Sequence, residues 1–345
     1  MKYIFFVLPF LFLISCGDAK PVENTANLNL DSLLTVYPDS VPLLVQRGNK
    51  LLADYKYDKA LADGAKAFRI DSNNLEARLL YADILNNRPE RSDADVMNAQ
   101  NHFRYIVKKD VKNTKALVCL ASTFTQQMDF ENSFKYINAA LKINPKYRDG
   151  YVLKGKNYLI LNNISDEKDN KNYFDLAVSS YQTAVQEDPK FFEAYLMLGS
   201  LYEAKSDTVL CLEYYKTAAQ LQPKNPDVLY ALAYANQKFN KIDRAKYLYR
   251  RMIEMDTTYS QALFQLGYIK QWQEKKPDLD SAIYFYSSTI ETTPNYVEAW
   301  HNLGICYWNR QKEGDRVMAQ KSFQKALKYD PNFELSREMM EKFRN

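Results

Sequence analysis

Histidine is nearly missing from this chain: 345 residues hold two, His102 and His301. The four cysteines show no metal-ligand spacing with them. No Gly-x-Ser-x-Gly elbow occurs, and no glycine-rich loop opens a helix. These gaps exclude the usual nucleophile, metal and nucleotide constellations, so the chain reads as a non-enzyme with no metal and no small-molecule cofactor. An excess of one charge is missing too, with 46 Lys and Arg against 42 Asp and Glu. A nucleic-acid binder would carry a basic face on a strongly basic domain. No apolar run reaches the length of a membrane-spanning helix, about 20 residues. Glycine (nine) and proline (twelve) are sparse while tyrosine is abundant (27), which fits packed helices.

The amino terminus has the one apolar stretch, Tyr3 to Leu13, interrupted by Pro9 and preceded by Lys2. It ends in Leu13-Ile14-Ser15-Cys16, which resembles the lipobox of bacterial lipoproteins. The resemblance implies that 1–15 is a signal peptide removed before Cys16, whose sulfur then carries palmitate-type acyl chains. Two or three such chains anchor a protein stably. Gly17 in the next position implies, by analogy with enteric sorting, the bacterial cell envelope and its outer membrane. Residues 16–27 are polar and aperiodic and read as a tether, at most about 40 Å long.

Beyond residue 28 the sequence repeats. Small residues recur at Gly48, Ala82, Ala121, Gly155, Gly199, Ala233, Gly267 and Gly304. A second series runs Ala60, Ala99, Ser133, Ala177, Cys211, Ala245, Ala282 and Ala319. Four residues after each comes Gly64, Phe103, Ile137, Tyr181, Tyr215, Tyr249, Tyr286 or Phe323. A closing slot follows at Ser72, Val111, Pro145, Pro189, Pro223, Thr257, Pro294 and Pro331. Five of the nine glycines occupy the first position, where a mid-helix glycine costs about 1 kcal/mol against alanine. Close helix approach is the reason to accept that cost.

The clearest unit is Trp300-xx-Leu303-Gly304-xx-Tyr307, Ala319-xxx-Phe323-xx-Ala326, Pro331, which resembles one tetratricopeptide repeat (TPR), a helix–turn–helix unit of 34 residues. Trp300, Tyr307 and Phe323 are expected to fill the space between neighbouring units. The resemblance implies an all-α, right-handed α-solenoid of about eight helix pairs, at roughly 41–74, 75–113, 114–147, 148–191, 192–225, 226–259, 260–296 and 297–331. Leu30, Leu33 and Leu34 suggest a lone helix, a half-repeat at the amino-terminal end. Residues 332–345 suggest a capping helix over the last apolar face. The excess over 34 residues falls in four intra-repeat turns, Asn86–Asn98, Asn162–Tyr173, Gln273–Asp280 and Asn309–Val317, polar enough to read as solvated loops. Asp166, Glu167 and Asp169 do not make a calcium loop, for Lys168 and the missing glycine spoil the pattern.

In that family the concave face is lined by first-helix positions counted from the small residue. Carried over, these are Tyr230, Tyr234 and Gln237, then Phe264, Gln265, Tyr268, Gln271 and Trp272, then His301, Asn302, Trp308 and Asn309. The first half offers Asn49, Asp83, Lys115, Ser122, Gln126 and Lys156 instead. Rings beside amides suit an extended peptide, or alternatively a glycan or peptidoglycan. The reading is a lipid-anchored adaptor that takes a protein partner, in an envelope assembly or secretion complex. The family's chaperone clamp needs Lys and Asn, then Asn, then Lys and Arg in consecutive repeats, and no trio here supplies it. Cys119, Cys211 and Cys306 lie in different repeats and read as buried thiols.

Overall fold

The computed structural model describes residues 29–164 and 172–343. The expected signal peptide over 1–15, Cys16, the expected tether and Asp166 to Asp169 lie outside the described residues. The fold is all-α: every regular element among the described residues is helical. The chain divides into two units, Met1–Phe191 and Phe192–Asn345.

The first unit opens with α1 (Leu30–Val36), followed by four pairs. They are α2 (Val41–Ala53) with α3 (Tyr57–Ile70), α4 (Leu75–Asn87) with α5 (Asp93–Lys109), α6 (Thr114–Gln126) with α7 (Phe130–Ile143), and α8 (Arg148–Ile164) with α9 (Tyr173–Glu187). The second unit pairs α10 (Phe192–Ala204) with α11 (Thr208–Leu221) and α12 (Pro226–Lys238) with α13 (Ile242–Met255). It goes on with α14 (Ser260–Tyr268) and α15 (Leu279–Thr292), then α16 (Val297–Arg310) and α17 (Asp315–Tyr329), and ends on α18 (Glu334–Glu341). Within each unit the fold is that of an α-solenoid, each pair packed on the next.

The glycines show what holds a pair together. A Cβ added at Gly304 would lie 2.6 Å from the Phe323 ring, and one at Gly199 would lie 2.5 Å from Tyr215. Those rings belong to the same repeat as the glycine they cover. Phe323 thus seals the inside of its own pair and also meets the segment that follows it, with its ring centroid 6.2 Å from that of Phe343. Tyr181, Tyr215, Tyr249, Tyr286 and Phe323 are all at most 4% exposed, and burying a side chain of this size stabilises by about 1.5–3 kcal/mol. The first pair has Gly64 where the others have a large apolar residue. Leu80 of the next pair enters instead, and a Cβ at Gly48 would stand 2.5 Å from Leu80 Cδ2.

The closing slot turns on a side-chain hydrogen bond. The residue before it, not proline, makes the turn: Asp71, Asp110, Asn144, Asp188, Asp256 and Asp330 each accept a side-chain hydrogen bond from a backbone N–H two residues on, at 2.8–3.1 Å. This explains how the links at Ser72, Val111 and Thr257 turn without proline.

The longer turns are partly helix. Asn86 and Asn87 end α4 and are buried, and a capping box of Ser92 with Asp95 opens α5. The expected loop over Asn86–Asn98 thus shrinks to the residues between the two helices. After α14 the chain widens into a π-helical turn, Ile269–Gln273, where Glu274 N–H donates to Ile269 O at 3.1 Å. This absorbs extra length without breaking the helix.

Candidate functional site

Three of the groove residues expected from position counting stand open on the first helices of the second unit. Tyr234 is 42% exposed, Tyr268 38% and Trp272 53%. Tyr234 follows Ala233 and Tyr268 follows Gly267, so they hold equivalent places on α12 and α14. Trp272 comes one turn later, in the π-helical segment.

Beneath them runs a chain of hydrogen bonds that fixes the helices' facing sides. Tyr249 Oη donates to Gln237 Oε1 at 2.8 Å, and Gln237 Nε2 donates to Gln265 Oε1 at 3.1 Å. Gln265 Nε2 in turn donates to Tyr230 Oη at 3.3 Å. Tyr230 is half-buried and stacks on Tyr234, with ring centroids 6.1 Å apart. The next repeat repeats the theme: Tyr286 Oη donates to Gln271 Oε1 at 2.8 Å, and Asn302 hydrogen-bonds the same phenol. Burial raises the Tyr249 and Tyr286 phenols above the usual range, so both stay protonated donors.

Three expected groove residues are not on this face. His301 is 9% exposed, with Nδ1 2.9 Å from Ser336 Oγ and its ring against Phe323 and Phe333. Burial lowers its pKa to about 4, so the ring is a neutral packing group. Trp308 lies edge-on to Phe343 at 4.9 Å, under α18. Phe264 stacks on Tyr296 at 4.9 Å and joins the core between α14 and α16. Each is corrected from lining residue to packing residue. Counting positions along a helix sets the direction of Cβ, but it does not say what the next element lays over it.

In the first unit the corresponding face is polar and closed on itself. Asp83 is fully buried; its Oδ1 accepts from Asn87 Nδ2 at 2.6 Å and its Oδ2 lies 3.5 Å from Lys115 Nζ. Arg91 Nε donates to Gln126 Oε1 (2.9 Å), Gln126 Nε2 to Asn86 Oδ1 (2.7 Å), and Asn86 Nδ2 to Ser122 Oγ (3.3 Å). Asn49 donates to the Val45 carbonyl of its own helix, and Lys156 is half-buried on α8. Position counting missed Arg91, which reaches this network from the α4–α5 turn; its place in a polar insert was the available signal. Cys119, Cys211 and Cys306 are buried, and burial pushes the Cys211 and Cys306 thiols up to about 12, leaving those two unreactive. No His, Cys, Asp and Glu group among the described residues is placed to hold a metal.

Comparison with known proteins fits this geometry. Residues 297–333 match the family model described as tetratricopeptide repeat. Residues 114–246 match the model of the plant specific mitochondrial import receptor subunit TOM20. Among curated proteins, the chain is 26% identical over 203 residues to Protein O-mannosyl-transferase TMTC1 of Homo sapiens, covering 59% of this chain and 21% of that one. It is 26% identical over 219 residues to Tetratricopeptide repeat protein 6 of Homo sapiens, covering 60% and 38%. The chain thus spans well under half the length of these relatives. Among solved structures, the C-terminal part of a TPR repeat-containing protein from Cytophaga hutchinsonii aligns with a TM-score of 0.56 at 18% identity, covering 75% of this chain and 97% of that one.

The match to the mitochondrial receptor model overturns the expected location in a bacterial outer membrane. That expectation rested on the first 17 residues, from Lys2 and the apolar run through Cys16 to Gly17, whereas the match extends through 114–246. What the helix pairs, the covered glycines and the repeat match establish together is that the chain belongs to the tetratricopeptide repeat family.

Proposed function

We propose that the second unit binds an extended peptide segment of a partner protein across Tyr234, Tyr268 and Trp272. Scaffolds of this family serve protein–protein interaction and are generally not catalysts, and the transferase activity in one relative's name is not carried over to a chain that covers a fifth of it. The observation that supports the reading is the exposed aromatic row over a hydrogen-bonded floor. Rings held in place supply apolar contact area at low entropic cost, as binding anchors do. A glycan is the weaker occupant. It needs many directional hydrogen bonds, and both ends of the Gln237 and Gln265 amides are already engaged with neighbours.

The test is to pan a random-peptide phage library on the full chain and measure the affinity of the enriched peptides by isothermal titration calorimetry, which needs none of the three rings as reporter. Tyr234→Ala, Tyr268→Ala and Trp272→Ala together should weaken binding a hundredfold or more, at about 2 kcal/mol per anchor, with helical content unchanged. Affinity that survives the triple change would sink this assignment. Acylation of Cys16 is a separate proposal, with a covalent lipid holding the chain to a membrane surface. Palmitate label should enter the chain and disappear with Cys16→Ser; label retained by that variant would remove it.

A further inference from the structure

Leu232 and Asn236 lie on α12 about half a turn round from Tyr230, Tyr234 and Gln237, given about 100° per residue. They therefore look away from the aromatic row. With Leu212 of α11 they floor a cavity of about 340 Å³, walled by Lys216 of α11 and by Lys241 and Arg244 at the start of α13. Leu212 is 9% and Leu232 4% exposed, whereas all three cations stand in solvent, so the apolar floor is recessed behind a charged rim.

Every charged side chain lining this recess is a cation, and none of the three is ion-paired among the described residues. Five other cations of the second unit do find carboxylates, among them Lys238 with Glu203, Lys246 and Lys270 with Glu274, and Arg310 with Asp315. Lys241 sits at the amino-terminal cap of α13, makes no capping bond there, and faces the positive end of the helix dipole. Arg244 lies over the Tyr247 ring at 5.1 Å, which holds its charge near the rim. Like charges grouped in this way repel one another until an anion joins them.

We propose that this recess is a second binding site, distinct from the aromatic row, for an acidic peptide segment of a partner protein. An apolar side chain of the segment rests on Leu212 and Leu232 while its carboxylates lie among Lys216, Lys241 and Arg244. An anionic bilayer would answer the charge but presents a flat surface, and the recessed floor is reached by a single side chain.

The experiment uses the full chain and the fluorescently labelled, end-blocked peptide Glu-Leu-Glu-Glu-Leu-Glu, followed by polarisation. Its counterpart Gln-Leu-Gln-Gln-Leu-Gln and vesicles of phosphatidylglycerol in phosphatidylcholine are the comparison probes. The acidic peptide should bind, weaken as salt rises, and bind at least tenfold more tightly than the glutamine peptide. Lys216→Gln, Lys241→Gln and Arg244→Gln together should cost at least tenfold, whereas Lys321→Gln, Lys325→Gln and Lys328→Gln on α17 should cost nothing. The Tyr234, Tyr268 and Trp272 triple variant should bind this peptide as the parent does, which separates failure of this site from failure of the groove. Circular dichroism checks that each variant remains helical. The proposal is overturned by equal binding of the two peptides, by undiminished binding to the Lys216 triple variant, or by absence of peptide binding. Vesicle binding without peptide binding would make the recess a membrane contact and overturn it equally.

Discussion

The two units carry the same helix pairs but treat their first-helix faces in opposite ways. In the first unit, polar groups of α4, α6 and α8 bond mostly to one another. Asp83 meets Lys115 and Asn87, Gln126 bridges Arg91 and Asn86, and Asn157 takes both Thr125 and Ser133 at 2.7 Å. In the second unit the hydrogen bonds run below the surface, from Tyr249 through Gln237 and Gln265 to Tyr230, and leave Tyr234 and Tyr268 in solvent. A buried polar network is worth having when every member is satisfied, since an unpaired group costs more than the bond contributes. The first face therefore closes on its own bonds, and the second leaves aromatic surface exposed.

The largest expected effect lies where the second unit's network begins. Tyr249 is fully buried, and its ring and its hydroxyl do separate things. Tyr249→Ala should lose about 4 kcal/mol, in the range for emptying a core aromatic site. Tyr249→Phe keeps the ring and strands the Gln237 carbonyl, which should cost about 1–2 kcal/mol. Urea unfolding gives the totals. Hydrogen exchange should show α12 and α13 losing protection first in both variants. Equal losses for the two would mean that the hydroxyl carries the whole effect and that the packing account of this ring is wrong.

Next comes pH, where the two units should respond with opposite sign. Burial pushes the Asp83 carboxyl up to about 6, with Lys115 and Asn87 opposing only in part. Its unfolded value is near 4, so the folded form holds the proton more tightly. The associated stability is complete below about pH 4 and is lost as pH rises through 6, about 3 kcal/mol in all. His301 in the second unit has its pKa lowered to about 4 by burial, against about 6.5 unfolded. Its contribution is present above pH 6.5 and is lost as pH falls through 4, again about 3 kcal/mol. Parent minus Asp83→Asn stability should thus fall from pH 4 to 7, and parent minus His301→Gln should rise over the same interval. Slopes of the same sign would break the contrast.

Much of this was open to reading in the residue order. A small residue every 34 to 44 positions has one simple cause, close approach of helices, and Gly199 against Tyr215 shows that cause at 2.5 Å. The exposed Tyr234, Tyr268 and Trp272 were also within reach, because their places on the helix point them away from the partner helix. His301, Trp308 and Phe264 were misplaced for a different reason. What covers them comes from α18 or from Tyr296, and periodicity within one helix does not report on a neighbour. The Asx turns have a signal of their own, one residue before the closing slot. Asp and Asn before six of the eight closing slots were plain in the sequence.

The smallest effect comes from the short turns inside the pairs, where the units again differ. The residue with positive φ is Tyr55 or Met128 in the first unit and Ser206, Asn240 or Gln311 in the second, all at φ 58–60°. A side chain in this left-handed region costs roughly 1–2 kcal/mol, and asparagine is one of the few side chains that tolerate it, through local hydrogen bonds. Met128 is half exposed, so little packing is lost with its side chain. The turn itself is held by Asp129, whose carboxylate accepts from Asn132 N–H at 3.1 Å, and that cap is independent of residue 128. Met128→Gly should therefore raise stability by about 1 kcal/mol even after the extra freedom of the unfolded chain is counted. Asn240→Gly should change it by no more than a few tenths, about the size of that entropy term left unopposed. Thermal melts of the two variants decide it, and a gain at Asn240 as large as at Met128 would show that backbone strain is not what separates the turns.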